Sequence, residues 1–498
     1  MTKLSPASEN AVRGAAKTIN RVAGMRGHGD GLGRGGGFSY LFPTLQDNPD
    51  NLLPLLVDSD GTRRQDPAIQ QALAAMADTM VDANPADPAG DSPIPAGYTY
   101  LGQFLDHDLT LDPTSRLQGV NQPDAVPNFR QPYPGLDSLY GRGPANDRFL
   151  FDQFHPLTPG LVFFQQPGRA HDVPRVQANA NGTVVVPLIG DPRNDENLAV
   201  AQTHVLFLHF HNRVTEHLAA TTTLRDLALF QEAYRLVAWH YQWIIARDFL
   251  PRLCRPADVD DVVANGPRYF RASGCAHMPV EFSAAAFRLG HSMVRENYNF
   301  NDPFSTATLS DLFSFTGGGP SGPPPSNWRI NWSRFFDLGT GGPVNLARRI
   351  DTQIVSQLHN LPPPVAGAGP VNLPARNLAR GYALNLPSGQ AVAAYLGVNA
   401  LTNAEIQFGR EVLFAQHPLL LQRTPLWFYV LRESEVRESG ERLGPVGSRI
   451  VADVILGLMW ADRKSVLWHP EWTPPGLGGT TAGRFEMADL VRVAGAFP

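Results

Sequence analysis

The sequence predicts a mainly α protein: one large helical domain with long Gly/Pro-rich loops and little β structure. Three observations carry this. Apolar residues recur at helical spacing in several long segments, while alternating strand text is scarce. Gly (46) and Pro (44) together exceed average usage, which calls for long, turn-rich connections. With 498 residues, 43% of them hydrophobic, the chain can bury a large core, and no repeat divides it.

In chain order, residues 1–37 read as a weakly amphipathic lead-in ending in "GHGDGLGRGGGF". That glycine cluster lacks GK[ST], and no strand pattern precedes it, so a flexible connection is expected rather than a phosphate loop. Residues 38–498 are expected to form the domain. "PAIQQALAAMADTMVDA" (67–83) has helical spacing. "YLGQFLDHDLTLDPTS" (100–115) follows, then a proline-rich loop over 113–144. "DPRNDENLAVAQTHVLFLHFHNRVTEHLAA" predicts a long helix, capped by Asp191 or Asn194, with Asp195 and Glu196 suiting its positive first turn. "LRDLALFQEAYRLVAWHYQWIIARDFLPRLC" predicts a second and "PVEFSAAAFRLGHSMVREN" a third. Loops are expected at 316–328 and 360–377, and the tail returns to helical text.

Composition narrows the function. Net charge is −5, so no basic field exists for nucleic acid, and no nucleic-acid-binding motif appears. No apolar run is long enough to span a membrane. Cys254 and Cys275 allow one disulfide or two thiols. The N-terminus lacks the apolar segment of a secretory signal, so the expected location is cytoplasmic, or outside the cell by a route without a classical signal peptide. Oligomeric state and the role of residues 1–37 stay open.

The chemistry centres on Asp106, His107 and Asp108. Three titratable groups inside an apolar stretch are costly to bury unless paired, bonded or coordinated. A buried polar network is one reading; a histidine doing proton work beside a metal or cofactor is the other. Arg193 and Glu196 are three residues apart, and His204 and His211 seven apart, each pair sharing a face if helical. HExxH is absent and His209 and His211 diverge, which disfavours mononuclear zinc. No GxSxG elbow or cysteine-nucleophile motif supports a hydrolase.

Taken together, these segments resemble the animal-type haem peroxidases of the peroxidase–cyclooxygenase superfamily, its bacterial members in particular. "GQFLDHDLT" resembles the family's distal motif, "DPRNDENLAVAQTHVLFLHFHNRV" its second motif and "AFRLGH" its proximal motif. "ARNLARGYALNLPSGQ" resembles the segment supporting the proximal histidine, and "GPVGSRIVADVILGL" a helix near the family's C-terminus. The motifs occur in the family's order over roughly residues 38–475.

The resemblance implies haem b, bound through His291 as iron ligand, with Asn377 accepting a hydrogen bond from the other ring nitrogen. It sets Arg380 and Arg288 near the haem propionates. On the opposite face it makes His107 the acid–base on hydrogen peroxide, Arg193 the charge stabiliser and Gln103 a positioning group for peroxide, water or halide. The implied reaction reduces hydrogen peroxide through a ferryl intermediate and oxidises a small electron donor, a halide, thiocyanate or a phenol. Asp106 and Glu196 occupy positions that form ester bonds to haem in the family. Asn197 replaces the methionine of the relative that adds a sulfonium link, so no such link is expected. Asp108 corresponds to a calcium ligand and Asp137 fits a second. Gln131 and Gly135 depart from the family's ligand types, which leaves calcium or a purely structural carboxylate open.

Two other readings remain. A fatty-acid dioxygenase of the same superfamily would need a radical-forming tyrosine near the proximal histidine, and "SAAAFRLG" contains none. A non-catalytic haem-binding protein would not need a distal base.

Overall fold

Eight α-helices of ten or more residues frame the molecule among the described residues. The computed structural model describes residues 36–495 except 118, 178–184, 273–275, 317–321 and 363–369. The lead-in over 1–37 with its glycine cluster falls almost wholly outside the described residues, as do Cys275 and parts of the loops at 316–328 and 360–377. Cys254 is a buried thiol.

Helix α1, Pro67–Asp78, starts where Asp66 accepts the Ala68 amide, with proline at the first helical position. Helix α2 covers Gly97–Leu109. A short 3-10 turn, Pro192–Asp195, is capped by Asp191, and helix α3, Leu198–Thr221, by Asn197. The expectation of one helix capped by Asp191 or Asn194 is therefore corrected. Residues 191–197 hold two successive N-termini, because the Asn197 side chain turns back onto the Val200 amide and restarts the helix. Helix α4, Asp226–Ile244, runs on through a five-residue π turn, Ile245–Phe249. Helices α5, Pro256–Asn265, α6, Leu373–Ala383, α7, Leu426–Glu438, and α8, Pro445–Ala461, complete the set.

The third long helix expected from sequence does not form. Its segment divides into Val280–Ser283 and a 3-10 helix, Ala286–His291, broken at Ala285 (φ −134°, ψ −81°). Packing overrides the alanine-rich propensity. Phe282 and Phe287 stack at 4.7 Å, a pairing five residues apart that an unbroken α-helix would send to different faces.

Helix α3 packs between α2 and α4; α6 packs on α1 and α7; and α8 lies against α5 and α7. One continuous apolar core runs through all of them. Phe104 of α2 stacks on Phe207 of α3 at 4.8 Å, and Tyr241 of α4 meets the edge of both rings. Such aromatic pairs add roughly 0.5–1.5 kcal/mol each beyond burial, which fixes α2 against α3. Strands are confined to five two-stranded ladders among the described residues, Asp91–Pro95 with Leu346–Arg348 being the one at the entrance to α2. No described helix is long and apolar enough to cross a membrane.

Candidate active site

The last two turns of α2 carry Gln103, Asp106, His107 and Asp108. Gln103 and His107 lie on one face because they are four residues apart. The turn before α3 brings a second set of side chains to that face. His107 is 4% exposed, and its Nδ1 lies 2.8 Å from Oδ1 of Asn194. Its Nε2 is 3.8 Å from Oε2 of Glu196. Nε2 of Gln103 donates a long 3.4 Å hydrogen bond to the same Glu196 oxygen. Oε1 of Gln103 accepts from Nδ2 of Asn197 at 2.9 Å. Asn197, read in the sequence only as a missing methionine, thus caps α3 and orients Gln103 at once.

Arg193 approaches His107 from the backbone side. Its Nη2 donates to the carbonyl of His107 at 2.9 Å, to that of Thr110 at 2.5 Å and to Asp191 at 2.7 Å. Asp191 is fully buried and also takes Nε of Arg130 at 3.0 Å. Burial opposes its charge, yet Arg193 and Arg130 hold its carboxyl far below the usual carboxylate range. Burial likewise opposes the Arg193 charge, and Asp191 outweighs it and holds the guanidinium above its ordinary value. Asp106 is half-buried and accepts Oγ1 of Thr110 at 3.3 Å.

On the other side His291 ends the 3-10 helix that packs on α2. Asn377 of α6 meets its Nδ1 at 2.8 Å, with the amide nitrogen facing the ring. This is opposite to the expected polarity, in which the amide oxygen accepts. A histidine that binds metal through Nε2 carries its proton on Nδ1, so ligation requires the Asn377 amide to turn over. Burial, with Arg288 and Arg376 nearby, pushes the imidazole down to about 3 and keeps it neutral, the form that ligates metal.

Three arginines crowd this side. Nε of Arg288 donates to the Ser283 carbonyl at 3.0 Å. Arg380 reaches Asp112 at 3.4 Å and hydrogen-bonds Ser115. Burial first, then Arg288, lowers Arg380 to about 10, and the same two causes lower Arg376. Mutually repelling guanidiniums at a half-buried site suit a ligand that brings carboxylates. Gln103, Asp106, Arg193, Glu196, Arg288 and His291 each keep partial exposure among buried neighbours. A Cβ added at Gly290 would meet nothing within 4 Å, so open space adjoins His291. These residues fit haem: imidazole for iron, arginines for propionates and a distal base.

The calcium expectation fares differently. Asp108 is fully buried, and its two oxygens accept the amides of Leu136 at 2.9 Å and Ser138 at 3.1 Å. Leu136 is held at φ +63° in doing so. Asp137 accepts the Gln131 amide at 3.3 Å, while its Oδ1 is buried without a partner. Burial raises both carboxyls, and for Asp108 the Asp137 charge adds to the rise. A Cβ at Gly135 would lie 2.4 Å from the Tyr133 ring, so that ring fills the space of the family's aspartate. Among the described residues no three or more His, Cys, Asp or Glu cluster to hold a metal ion. Each Asp108 oxygen already accepts an amide, and calcium would need further carbonyl or hydroxyl oxygens beside these two carboxylates to reach the six to eight it prefers.

Sequence reasoning missed three residues. Asn194 read as a helix cap, but it bonds His107. His204 read as a helix-face histidine, but its Nδ1 lies 3.0 Å from Nδ2 of Asn194. Arg376 precedes Asn377 and carried no signal beyond its charge. Spacing rules find residues that share a helix face; they do not find partners joined across two elements.

The family model for animal haem peroxidase matches residues 151–411. Mouse (Mus musculus) myeloperoxidase is 26% identical over 367 residues, covering 60% of this chain and 49% of that protein. Human (Homo sapiens) thyroid peroxidase is 36% identical over 189 residues, covering 34% of this chain and 20% of that protein. The chain spans about half the length of the curated relatives it matches. Among solved structures, peroxidase A from Dictyostelium discoideum superposes with a TM-score of 0.60 at 18% identity, covering 87% of this chain and 91% of that one. The fatty acid alpha-dioxygenase of Oryza sativa gives 0.59 at 12% identity, covering 94% and 85%. At these identities the structural likeness shows the fold, and the family match covers more than half of the sequence. The chain belongs to the animal haem peroxidase family.

Proposed function

We propose that this chain is a peroxidase that reduces hydrogen peroxide and oxidises a small donor: a halide, thiocyanate or a phenol. The observation that carries this reading is His107. Its imidazole is buried, Nδ1 is occupied by Asn194, and Nε2 is left beside Gln103 and Glu196. A protein that only stored haem would need no such base.

Haem, when bound through His291, supplies the electrons that split the peroxide O–O bond and passes the oxidising equivalents to the donor. The chain supplies proton transfer and positioning. Nε2 of His107 takes the proton from one peroxide oxygen and returns it to the other, which leaves as water. Arg193, its charge fixed by Asp191, stabilises the negative charge that develops on the departing oxygen. Gln103, aimed by Asn197, offers its amide N–H to peroxide, water or halide. The carboxylates of Asp106 and Glu196 border the site, and ester bonds from both to haem methyl groups are part of the proposal; each would replace one methyl C–H bond, with hydrogen peroxide as the two-electron oxidant, reduced to water.

The dioxygenase reading has no residue to carry it. Residues 284–290 contain no tyrosine. The test is the absorption spectrum of the haem-loaded chain with one equivalent of peroxide, then iodide or a phenol. A fast spectral change that the donor reverses supports the proposal. A Soret band indifferent to peroxide, or oxygenated product from linoleate and oxygen, overturns it.

A further inference from the structure

Three side chains from three elements form one buried line: His107 on α2, Asn194 in the 3-10 turn and His204 on α3. Nδ1 of His107 is 2.8 Å from Oδ1 of Asn194, and Nδ2 of Asn194 is 3.0 Å from Nδ1 of His204. Asn194 and His204 are each 0% exposed, so no water competes with either contact. Nε2 of His204 has no hydrogen-bond partner among the described residues, and its ring meets the edge of Phe104 at 6.1 Å. The peroxidase reading gives His204 no task, and gives Asn194 none beyond occupying Nδ1 of His107.

We infer that Asn194 is a positioning residue that fixes the tautomer of His107, and that His204 in turn fixes the orientation of Asn194. The inference rests on the peroxidase reading for its meaning, though not for its geometry.

An asparagine amide has one accepting end and one donating end. Here the accepting end faces His107, so the proton of His107 resides on Nδ1. Nε2 then carries the lone pair toward Gln103 and Glu196, as a base requires. The same oxygen keeps its hydrogen bond when His107 takes a second proton at Nε2, so both states of the transfer are held in one ring orientation. An amide free to turn would spend part of its time with its N–H against Nδ1, and His107 would then hold its proton on the wrong nitrogen. His204 removes that freedom by accepting from the donating end. Burial holds its imidazole down at about 3, so it remains a neutral acceptor.

The reach of Asn194 to both rings follows from the tight turn. Asp191 caps residues 192–195, Asp191 is clamped by Arg130 and Arg193, and the Arg193 guanidinium is itself bonded to the backbone of α2. The relay therefore sits on a turn rigidly tied to the helix that bears His107.

The test uses two readouts on the full chain. The first is 15N NMR of histidine-labelled protein without cofactor, which reports the tautomer of His107 whether or not the chain proves a peroxidase. Nδ1 protonated and Nε2 bare is expected in the wild type, and a mixture in Asn194→Leu. The second is the stopped-flow rate of the peroxide step in the haem-loaded chain, measured separately from the donor step. Asn194→Leu is expected to slow the peroxide step about 10²-fold, the lower end of an acid–base contribution, and to leave the donor step unchanged. His204→Phe, which removes only the acceptor for the amide, is expected to slow it several-fold less. Asn194→Asp keeps an acceptor for Nδ1–H and is expected to recover most of the rate, which separates positioning from a general loss of structure. Protonated Nε2 on His107 in the wild type overturns the inference. So does a peroxide step in Asn194→Leu within a factor of about two of wild type.

Discussion

Two histidine–asparagine pairs face each other across this fold, and they are built in opposite senses. His107 meets the oxygen of Asn194, and His291 meets the nitrogen of Asn377, each at 2.8 Å. The amide of Asn194 is held at both ends, by His107 and by His204. The amide of Asn377 has this single hydrogen bond among the described residues. The difference matches the tasks proposed for the two rings. A base must present the same nitrogen before every turnover, so its tautomer is fixed by the fold. A ligand has its tautomer fixed by the metal, and its partner only has to follow.

The sharpest way to break the comparison is to remove each ring. His291→Ala is expected to abolish stable haem binding, read as loss of the Soret band after gel filtration. His107→Ala is expected to keep the Soret band and lose about 10²–10⁴-fold in the peroxide step. Equal loss of haem in both would show that the rings do not divide the work, and persistent turnover in His107→Ala would remove it from the acid–base role. Next in size is the Asn377 contact. Asn377→Ala is expected to weaken haem retention about 10–100-fold while leaving the peroxide step within a few-fold. Asn377→Asp, which can only accept, is expected to retain haem at least as well as wild type and to lower the reduction potential, because an accepting partner makes the imidazole more basic. Retention unchanged in Asn377→Ala would assign the 2.8 Å contact to packing alone.

The two sides also differ in what pH does to their supports. The His107 turn hangs on Asp191, whose pKa is depressed below its unfolded value, chiefly by Arg193 and Arg130 against the cost of burial. Its stabilisation is complete above the unfolded pKa near 3.8 and is lost as pH falls below it. The His291 segment begins at Glu281, whose carboxylate accepts the amides of Leu41 at 2.7 Å and Phe42 at 3.1 Å. Burial raises Glu281 from 4.5 to about 7. The folded state then binds more protons than the unfolded one between those values. The stability it contributes is complete below pH 4.5 and is lost as pH rises through about 7. That loss is on the order of 3–4 kcal/mol, at about 1.4 kcal/mol per unit. Glu433 and Asp351 are raised to about 7 in the same way and add to it. Tm is expected to fall from pH 5.5 to 8.5. Glu281→Gln is expected to lower Tm at pH 5.5, since its amide faces a backbone N–H, and to flatten the slope. An unflattened slope would assign the alkaline loss to other groups.

What the sequence made legible follows a physical divide. The helical class, α1 and the long α3 and α4 were readable because a 3.6-residue period is local. Gln103, His107, Arg193, Glu196, His291 and Asn377 could be named as candidates because each lies in a contiguous motif. The division of residues 280–291 was not, because the Phe282–Phe287 stack and the packing on α2 outweigh the preference of Ala284, Ala285 and Ala286 for helix. Nor was the His107–Asn194–His204 line, in which each contact joins groups 87 and 10 residues apart on different elements. The grip of Arg193 on Asp191 and on the backbone of α2 was equally silent, since a side chain that bonds carbonyls leaves no partner to find in the sequence.

The smallest effect expected is also the most decisive about what holds the end of α2. If hydrogen bonds alone hold Asp108 and Asp137, removing calcium should do nothing. Metal analysis after EDTA dialysis is expected to find well under one calcium per chain, and Tm is expected to stay within about 1 °C. The reason is stereochemical: each oxygen of Asp108 already accepts an amide, from Leu136 or Ser138, and the Tyr133 ring fills the space a side chain at Gly135 would need. About one calcium per chain would mean that the unpartnered Oδ1 of Asp137 and nearby carbonyls complete a cage that these two carboxylates begin. The end of α2 would then be held by a cation rather than by a hydrogen-bonded loop. Asp137→Asn separates the cases: it should leave Tm unchanged or raise it if no cation is bound, because it removes a buried like charge, and lower it sharply if a cation is bound.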